Sequence, residues 1–120
     1  MNVHTMLERR NAVRVLAHCH IHYREASGNE VSIEEGLLRD VSTTGCTIIS
    51  KATLRKGSII TLTLYLNDGQ PPISLAGTTV SWAVKHRFGV TFPEMTSDER
   101  ERLQMIVWNG LTLLGKSYLL

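Results

Sequence analysis

Cysteine is nearly absent: Cys19 and Cys46 are the only two, and their spacing fits no metal-binding pattern. That excludes a disulfide framework and leaves two reduced thiols, the state expected in a cytosol. A dominant charge is also lacking, since the formal net charge is only +2. Proteins that bind a nucleic-acid duplex normally carry a broad basic face, so DNA is not an expected partner. No uninterrupted apolar stretch is long enough to span a bilayer, because Gly110, Gly115 and Lys116 break the run near the end. The opening residues lack a basic start followed by an apolar segment, so no secretory signal is visible. Catalytic signatures are missing too. Ser42 lacks the preceding glycine of a nucleophile elbow, and no HExxH, P-loop or GxGxxG occurs. These absences predict a soluble, cytoplasmic, non-enzymatic protein with no membrane insertion.

What is present begins with two short polar runs. The first spans Arg10 to Arg14, preceded by Arg9, so three guanidinium groups fall within six positions. The second packs Asp40, Ser42 and Gly45 into six residues. A guanidinium fork matches phosphate oxygens and the O6/N7 edge of guanine, since each accepts two parallel hydrogen bonds. A carboxylate suits the opposite guanine edge, where N–H groups need an acceptor. A ligand with both phosphates and guanines would use both runs, so the pair points to guanine-nucleotide recognition. Gly45 fits a positive-φ turn or a backbone lying flat against a ligand. The blander role for Asp40 and Ser42 is as local loop caps that bond their own backbone.

The 120 residues predict one domain with one core. Residues 1–12 have no firm period and read as a flexible arm. The remainder, 13–120, reads as one unit without repeats or linkers. From Val13 to Arg24 the pattern alternates strictly, the mark of a half-buried strand. A turn at Ala26 to Asn29 leads to a second strand over Val31 to Arg39, and residues 40–45 read as a loop. Further strands are expected at Cys46 to Ser50, Ile59 to Leu66, Ile73 to Val84 and Arg87 to Phe92. Asn67, Asp68 and Gly69 form a strong hairpin cue, and Lys85 and His86 form a basic turn. Strands with short turns and no intervening helices imply an antiparallel barrel or sandwich. Thr96 and Glu99 make a capping-box pattern, followed by Leu103, Ile106, Val107 and Leu111 at helical spacing. A helix from about Ser97 to Asn109, or slightly beyond, should close or cross one mouth of the barrel.

The run from Glu8 through Arg10 and Arg14 to Val15 resembles the RxxxR element of PilZ domains, and Asp40 to Gly45 resembles their [D/N]xSxxG element. The strand led by Gly57, the pattern Val80-Ser81-Trp82 and the run Arg87 to Phe92 are similar to later strands of that family. The resemblance covers roughly residues 7–110. Together the two motifs on a barrel-like strand pattern are far more specific than either alone. The resemblance implies a six-stranded antiparallel β-barrel, mainly all-β, with a C-terminal α-helix. It also implies binding of cyclic di-GMP, a bacterial second messenger. Carried over by position, Arg10 and Arg14 would contact phosphate and guanine from a mobile arm. Asp40 and Ser42 would meet guanine and nearby polar atoms, and Gly45 would allow close backbone approach. Arg9 is a further candidate, stacking on a base or engaging a second ligand molecule. The implied mechanism is a disorder-to-order switch of the arm that changes the surface offered to a downstream protein partner. The alternative is an interaction module of the same fold with weak or no nucleotide binding.

Three other features carry less. His18, His20 and His22 share one strand face, a zinc-compatible arrangement without an obvious fourth ligand, so no metal is expected. Trp82 and Trp108 read as core or lid residues rather than base-stacking platforms. Leu113, Leu114, Tyr118, Leu119 and Leu120 would pack on the barrel, or form a partner contact or homodimer seam.

Overall fold

The computed structural model describes residues 14–25 and 33–119, with side chains described through residue 110. The expected arm, the first turn and the apolar terminal side chains therefore lie outside the described residues. Six strands and one helix follow in order: β1 (Val15–Glu25), β2 (Ile33–Val41), β3 (Gly45–Ile49), β4 (Ile59–Leu64), β5 (Ile73–Val84), β6 (Arg87–Thr91) and α1 (Ser97–Leu119). The strands close into a barrel in the order β1-β2-β3-β6-β5-β4, and every neighbouring pair is antiparallel. Among the described residues every strand has a hydrogen-bonded neighbour on each side, so none is an edge strand.

Period-two alternation explains the interior. Cys19, Ile21 and Tyr23 of β1 point inward with Ile60, Leu62 and Leu64 of β4, Ile73, Leu75 and Val80 of β5, and Phe88 and Val90 of β6. At the mouth farther from α1, the buried Tyr23 hydroxyl lies 2.8 Å from Ser50 Oγ, and its ring meets Phe88 edge-on at 5.3 Å. Burial leaves the Tyr23 phenol harder to ionise than usual, only partly offset by its bond to Ser50.

The other mouth is closed by α1. Its first turn carries the expected reciprocal cap: Thr96 Oγ1 accepts from Glu99 N (3.2 Å), and Glu99 Oε1 accepts from Thr96 N (3.0 Å). Leu103 and Val107 then insert into the core. Arg102 clamps the helix to the β4–β5 connection, with Nε and Nη2 each 2.9 Å from a carboxylate oxygen of Asp68. Asn67 (φ 57°) and Gly69 (φ 75°) supply the left-handed backbone of that connection, as the hairpin cue required.

Three expectations change. The predicted loop over 40–45 contracts to residues 42–44, because Asp40 and Val41 complete β2 and Gly45 starts β3. The helix does not stop near Asn109 but runs through Gly110 and Gly115 to Leu119. Gly110 is a contact residue rather than a terminator. A Cβ there would sit 2.7 Å from Val15 Cβ, so the missing side chain lets the helix lie directly on β1. Finally, Trp82 and Trp108 are surface residues, 36% and 64% exposed, because they lie on the outer faces of β5 and α1. No helix among the described residues is long and apolar enough to cross a membrane.

Candidate functional site

Arg14, the last residue of the first polar run, meets the second run on the outer wall of the barrel beside the mouth that α1 closes. Two β-bulges create the meeting. One lies on β1 between Leu16 and Cys19, where three steps along β1 oppose two along β2. The other lies on β2 between Leu38 and Asp40, where two steps oppose one along β3. Because of this extra residue, Leu38 and Val41 both point into the core, while Arg39 and Asp40 stay on the outer side. A bulge re-aims a side chain in this way at little cost to the sheet. Asp40 consequently stands between Leu16 on β1 and Thr47 on β3.

Arg14, immediately before β1, reaches across to this point. Its Nη1 donates to Asp40 Oδ1 at 2.7 Å and lies 3.4 Å from Thr47 Oγ1. The short ion pair is charge-assisted and fixes the plane of the guanidinium. With side chains 41% and 20% exposed, both partners remain reachable from solvent. Only Nη1 is engaged among the described residues, so the fork retains N–H donors for an incoming acceptor.

Ser42 plays a different part. It is 1% exposed, and its Oγ accepts from Thr44 N and Gly45 N, both at 3.1 Å. Its own N–H donates to Gly45 O at 2.8 Å, so the residue bolts the β2–β3 turn together. Gly45 is also demanded by the fold. It is not among the positive-φ glycines, yet a Cβ would run into the Val90 carbonyl oxygen on β6. Within the motif, Ser42 and Gly45 thus build the β2–β3 turn, while the Asp40 carboxylate stands beside it at the surface. Beneath it Cys46 is fully buried, and burial pushes its thiol up despite the opposing influence of Arg14, leaving it unreactive.

Arg14, Asp40, Ser42 and Gly45 therefore occupy one corner of the barrel, whereas Arg9 and Arg10 lie outside the described residues. The sequence reading missed Thr47 and the outer row to which it belongs. Cross-strand pairing runs from Leu16 to Asp40, Thr47, Gly89 and Trp82 across five strands. The two-residue turn at Lys85 and His86 held a usable signal. Pairing 84 with 87 and counting back brings β5 position 82 near β6 position 89, a tryptophan facing a glycine.

Of the three histidines on β1, His22 makes its contacts away from this corner. His22 Nδ1 is 3.1 Å from Tyr65 Oη, its ring meets the Tyr65 ring edge-on at 5.0 Å, and Nε2 is 3.5 Å from Glu35. Among the described residues, no group of three or more His, Cys, Asp or Glu side chains is placed to hold a metal ion.

Comparison with known proteins places this geometry in context. The sequence model of the PilZ domain matches residues 8–107. No curated protein matches the chain. Among solved structures, the PilZ domain of CeSA from a cellulose-synthesizing bacterium superposes with a TM-score of 0.61, at 18% identity, covering 82% of this chain and 97% of that one. The PilZ domain of YcgR from Escherichia coli, solved with c-di-GMP, gives a TM-score of 0.66 at 14% identity, covering 88% and 94%. The Bacillus subtilis inhibitor of motility MotI/DgrA gives 0.67 at 12% identity, with 81% of this chain covering 48% of that one. At these identities the superpositions establish the shared barrel.

Proposed function

We propose that this chain, which belongs to the PilZ domain family, is a receptor that binds cyclic di-GMP and passes the binding event to a downstream protein. The observation that carries the reading is the Arg14–Asp40 pair, held at 2.7 Å on the outer wall within one turn of Gly45. Donor fork and carboxylate stand side by side, as the two hydrogen-bonding edges of guanine require. Arg14 offers its remaining N–H groups to O6 and N7 or to a phosphate. Asp40 offers its second oxygen to the N1–H and N2–H edge. Arg10 and Arg9 would add phosphate neutralisation or stacking from the preceding segment.

Binding is then a matter of positioning, with no bond made or broken. Each bidentate base contact contributes about 1–3 kcal/mol, and micromolar affinity needs about 8 kcal/mol in total. Two arginines and one aspartate approach that sum, and base stacking supplies the remainder. The effector step follows if ordering of the arm alters what the barrel wall presents.

One observation favours the second reading, an interaction module with little nucleotide affinity. The outer row His20, Leu37, Ile49, Arg87 and Val84 exposes three aliphatic side chains in cross-strand register, a surface suited to protein contact. The same row serves the receptor reading as an output surface. Titration calorimetry with cyclic di-GMP, cyclic di-AMP and GTP separates the two. The expected result is binding of cyclic di-GMP alone, abolished in Arg14→Ala with the circular dichroism spectrum unchanged. Absence of heat with all three nucleotides, or full affinity in Arg14→Ala, refutes the receptor reading.

A further inference from the structure

We propose that the outer wall over β2 and β3 is a self-association surface, whose occupant is a second copy of this chain docked about a two-fold axis along the β2–β3 seam. The inference is independent of nucleotide binding and gives the aliphatic row described above a specific partner.

The centre of the surface is apolar. Leu37 on β2 and Ile49 on β3 pair directly across the seam and are 47% and 40% exposed. Their chain neighbours Leu38 and Ile48 are fully buried, so strand alternation turns residues 37 and 49 outward. Alternation requires an outward side chain there, but not an aliphatic one. Contiguous exposed apolar side chains of this kind mark contact surfaces. Together they floor an open groove of about 680 Å³.

The flanks carry opposite charge. On the β2 side stands Glu35, 80% exposed, with its carboxylate 3.5 Å from His22 Nε2. On the β3 side stand the exposed Lys51, two residues beyond Ile49, and Arg87, which pairs with Ile49 from β6. Among the described residues neither cation makes an ion pair. Lys51 does not pair even with Glu35, although both line the groove. The two charges thus stand on opposite banks, each open to an incoming surface.

This pattern is its own complement. A two-fold axis lying in the contact plane exchanges the two sides of the seam, as an isologous interface requires. Leu37 of one copy then covers Ile49 of the other, and Glu35 of one comes over Lys51 of the other. Symmetry makes each contact twice. Arg87, beyond Ile49 on the same side as Lys51, adds positive potential toward the opposing Glu35. A foreign protein would need an apolar centre flanked by charges in inverse order, and a second copy turned through half a revolution already has both. Three strand spacings separate β1 from β6, about 14 Å, and the barrel curves away on either side. The contact is therefore at the small end of specific interfaces, which sets a dimer that dissociates in the micromolar range.

Sedimentation equilibrium of the whole chain without nucleotide, from about 5 to 500 µM, should show the mass rising from one chain toward two. Leu37→Asp should hold it at one chain throughout. Glu35→Lys and Lys51→Glu each set like charges against one another in both symmetry-related contacts, and each should weaken association about tenfold or more. An equimolar mixture of these two variants should recover wild-type association, because each chain supplies the charge that the other lacks. Melting temperatures confirm folding of the variants, and mixing cannot rescue a chain that has failed to fold. A wild-type chain that stays single at every concentration overturns the proposal and leaves the row to a foreign protein. A dimer indifferent to Leu37→Asp has its seam elsewhere and overturns it equally. A mixture no heavier than its components rules out the two-fold pairing of Glu35 with Lys51.

Discussion

Replacing Gly45 with alanine asks whether this glycine serves a ligand or the barrel. The structure answers for the barrel, because the new Cβ would collide with the Val90 carbonyl, a backbone atom that cannot rotate aside. Relief requires β3 and β6 to separate at the Gly45–Thr91 pair. That displacement loosens the bond from Phe92 N to Thr44 O (2.8 Å) and the Ser42 brace on the turn. Two or three hydrogen bonds at a net ~1 kcal/mol each set the loss. Alanine returns about 0.4–1 kcal/mol by stiffening the unfolded chain. The balance is destabilisation by about 2 kcal/mol, or a fall in melting temperature of roughly 6–10 °C for a domain of this size. Thermal unfolding followed by circular dichroism measures it directly. A Gly45→Ala protein that melts with the wild type yet fails to bind nucleotide would refute this reasoning. It would mean that the glycine exists to let a ligand approach.

Two further perturbations test the seating of α1. Asp68→Asn should remove the Arg102 clamp and cost about 1 kcal/mol at pH 7. Hydrogen bonds from Arg102 hold the Asp68 carboxyl below its ordinary value, despite opposing desolvation, so the folded state binds its proton less readily than the unfolded chain. The contribution is therefore complete above about pH 4 and lost as pH falls through the lowered folded value. Urea titrations at pH 7 and pH 2.5 should show the gap between the two proteins closing, and a constant gap contradicts the assignment. Gly110→Val should force the helix off Val15, whose Cβ and both Cγ atoms lie within 2.9 Å of the added carbon. Overpacking of that kind costs about 1–3 kcal/mol, visible as a lower urea midpoint, and an unchanged midpoint shows that the helix need not touch β1 there.

The strands were legible because burial on a closed barrel has a strict period. Cys19, Ile21 and Tyr23 alternate with His18, His20 and His22, and Ile60, Leu62 and Leu64 alternate with Thr61 and Thr63. The start of α1 was legible for a local reason, since Thr96 and Glu99 satisfy each other's backbone without help from the rest of the chain. Its end was not, because Gly110 is explained by Val15, a residue far away in sequence. The bulges on β1 and β2 were equally hidden. An extra residue in a strand leaves its composition untouched and shows only when the partner strand is laid beside it. Arg14 and Asp40 could be named from chemistry, yet their contact depends on those bulges. Trp82 was assigned to core or lid because its glycine partner belongs to another strand.

The site corner therefore holds two kinds of residue that sequence alone merges into one motif. Ser42 and Gly45 have no side-chain atom left to offer: one hydroxyl is spent on its own turn, and the other residue has nothing beyond its backbone. Arg14 and Asp40 are paired with each other at the surface, where an exposed pair adds at most about 1 kcal/mol to folding. Substitutions in the first group act on affinity through the shape of the β2–β3 turn and must show a cost in stability. Under the proposed receptor function, substitutions in the second group should remove affinity at almost no cost to the fold. A residue's effect on melting, measured beside its effect on binding, thus assigns it to the wall that carries the site or to the groups that meet the ligand.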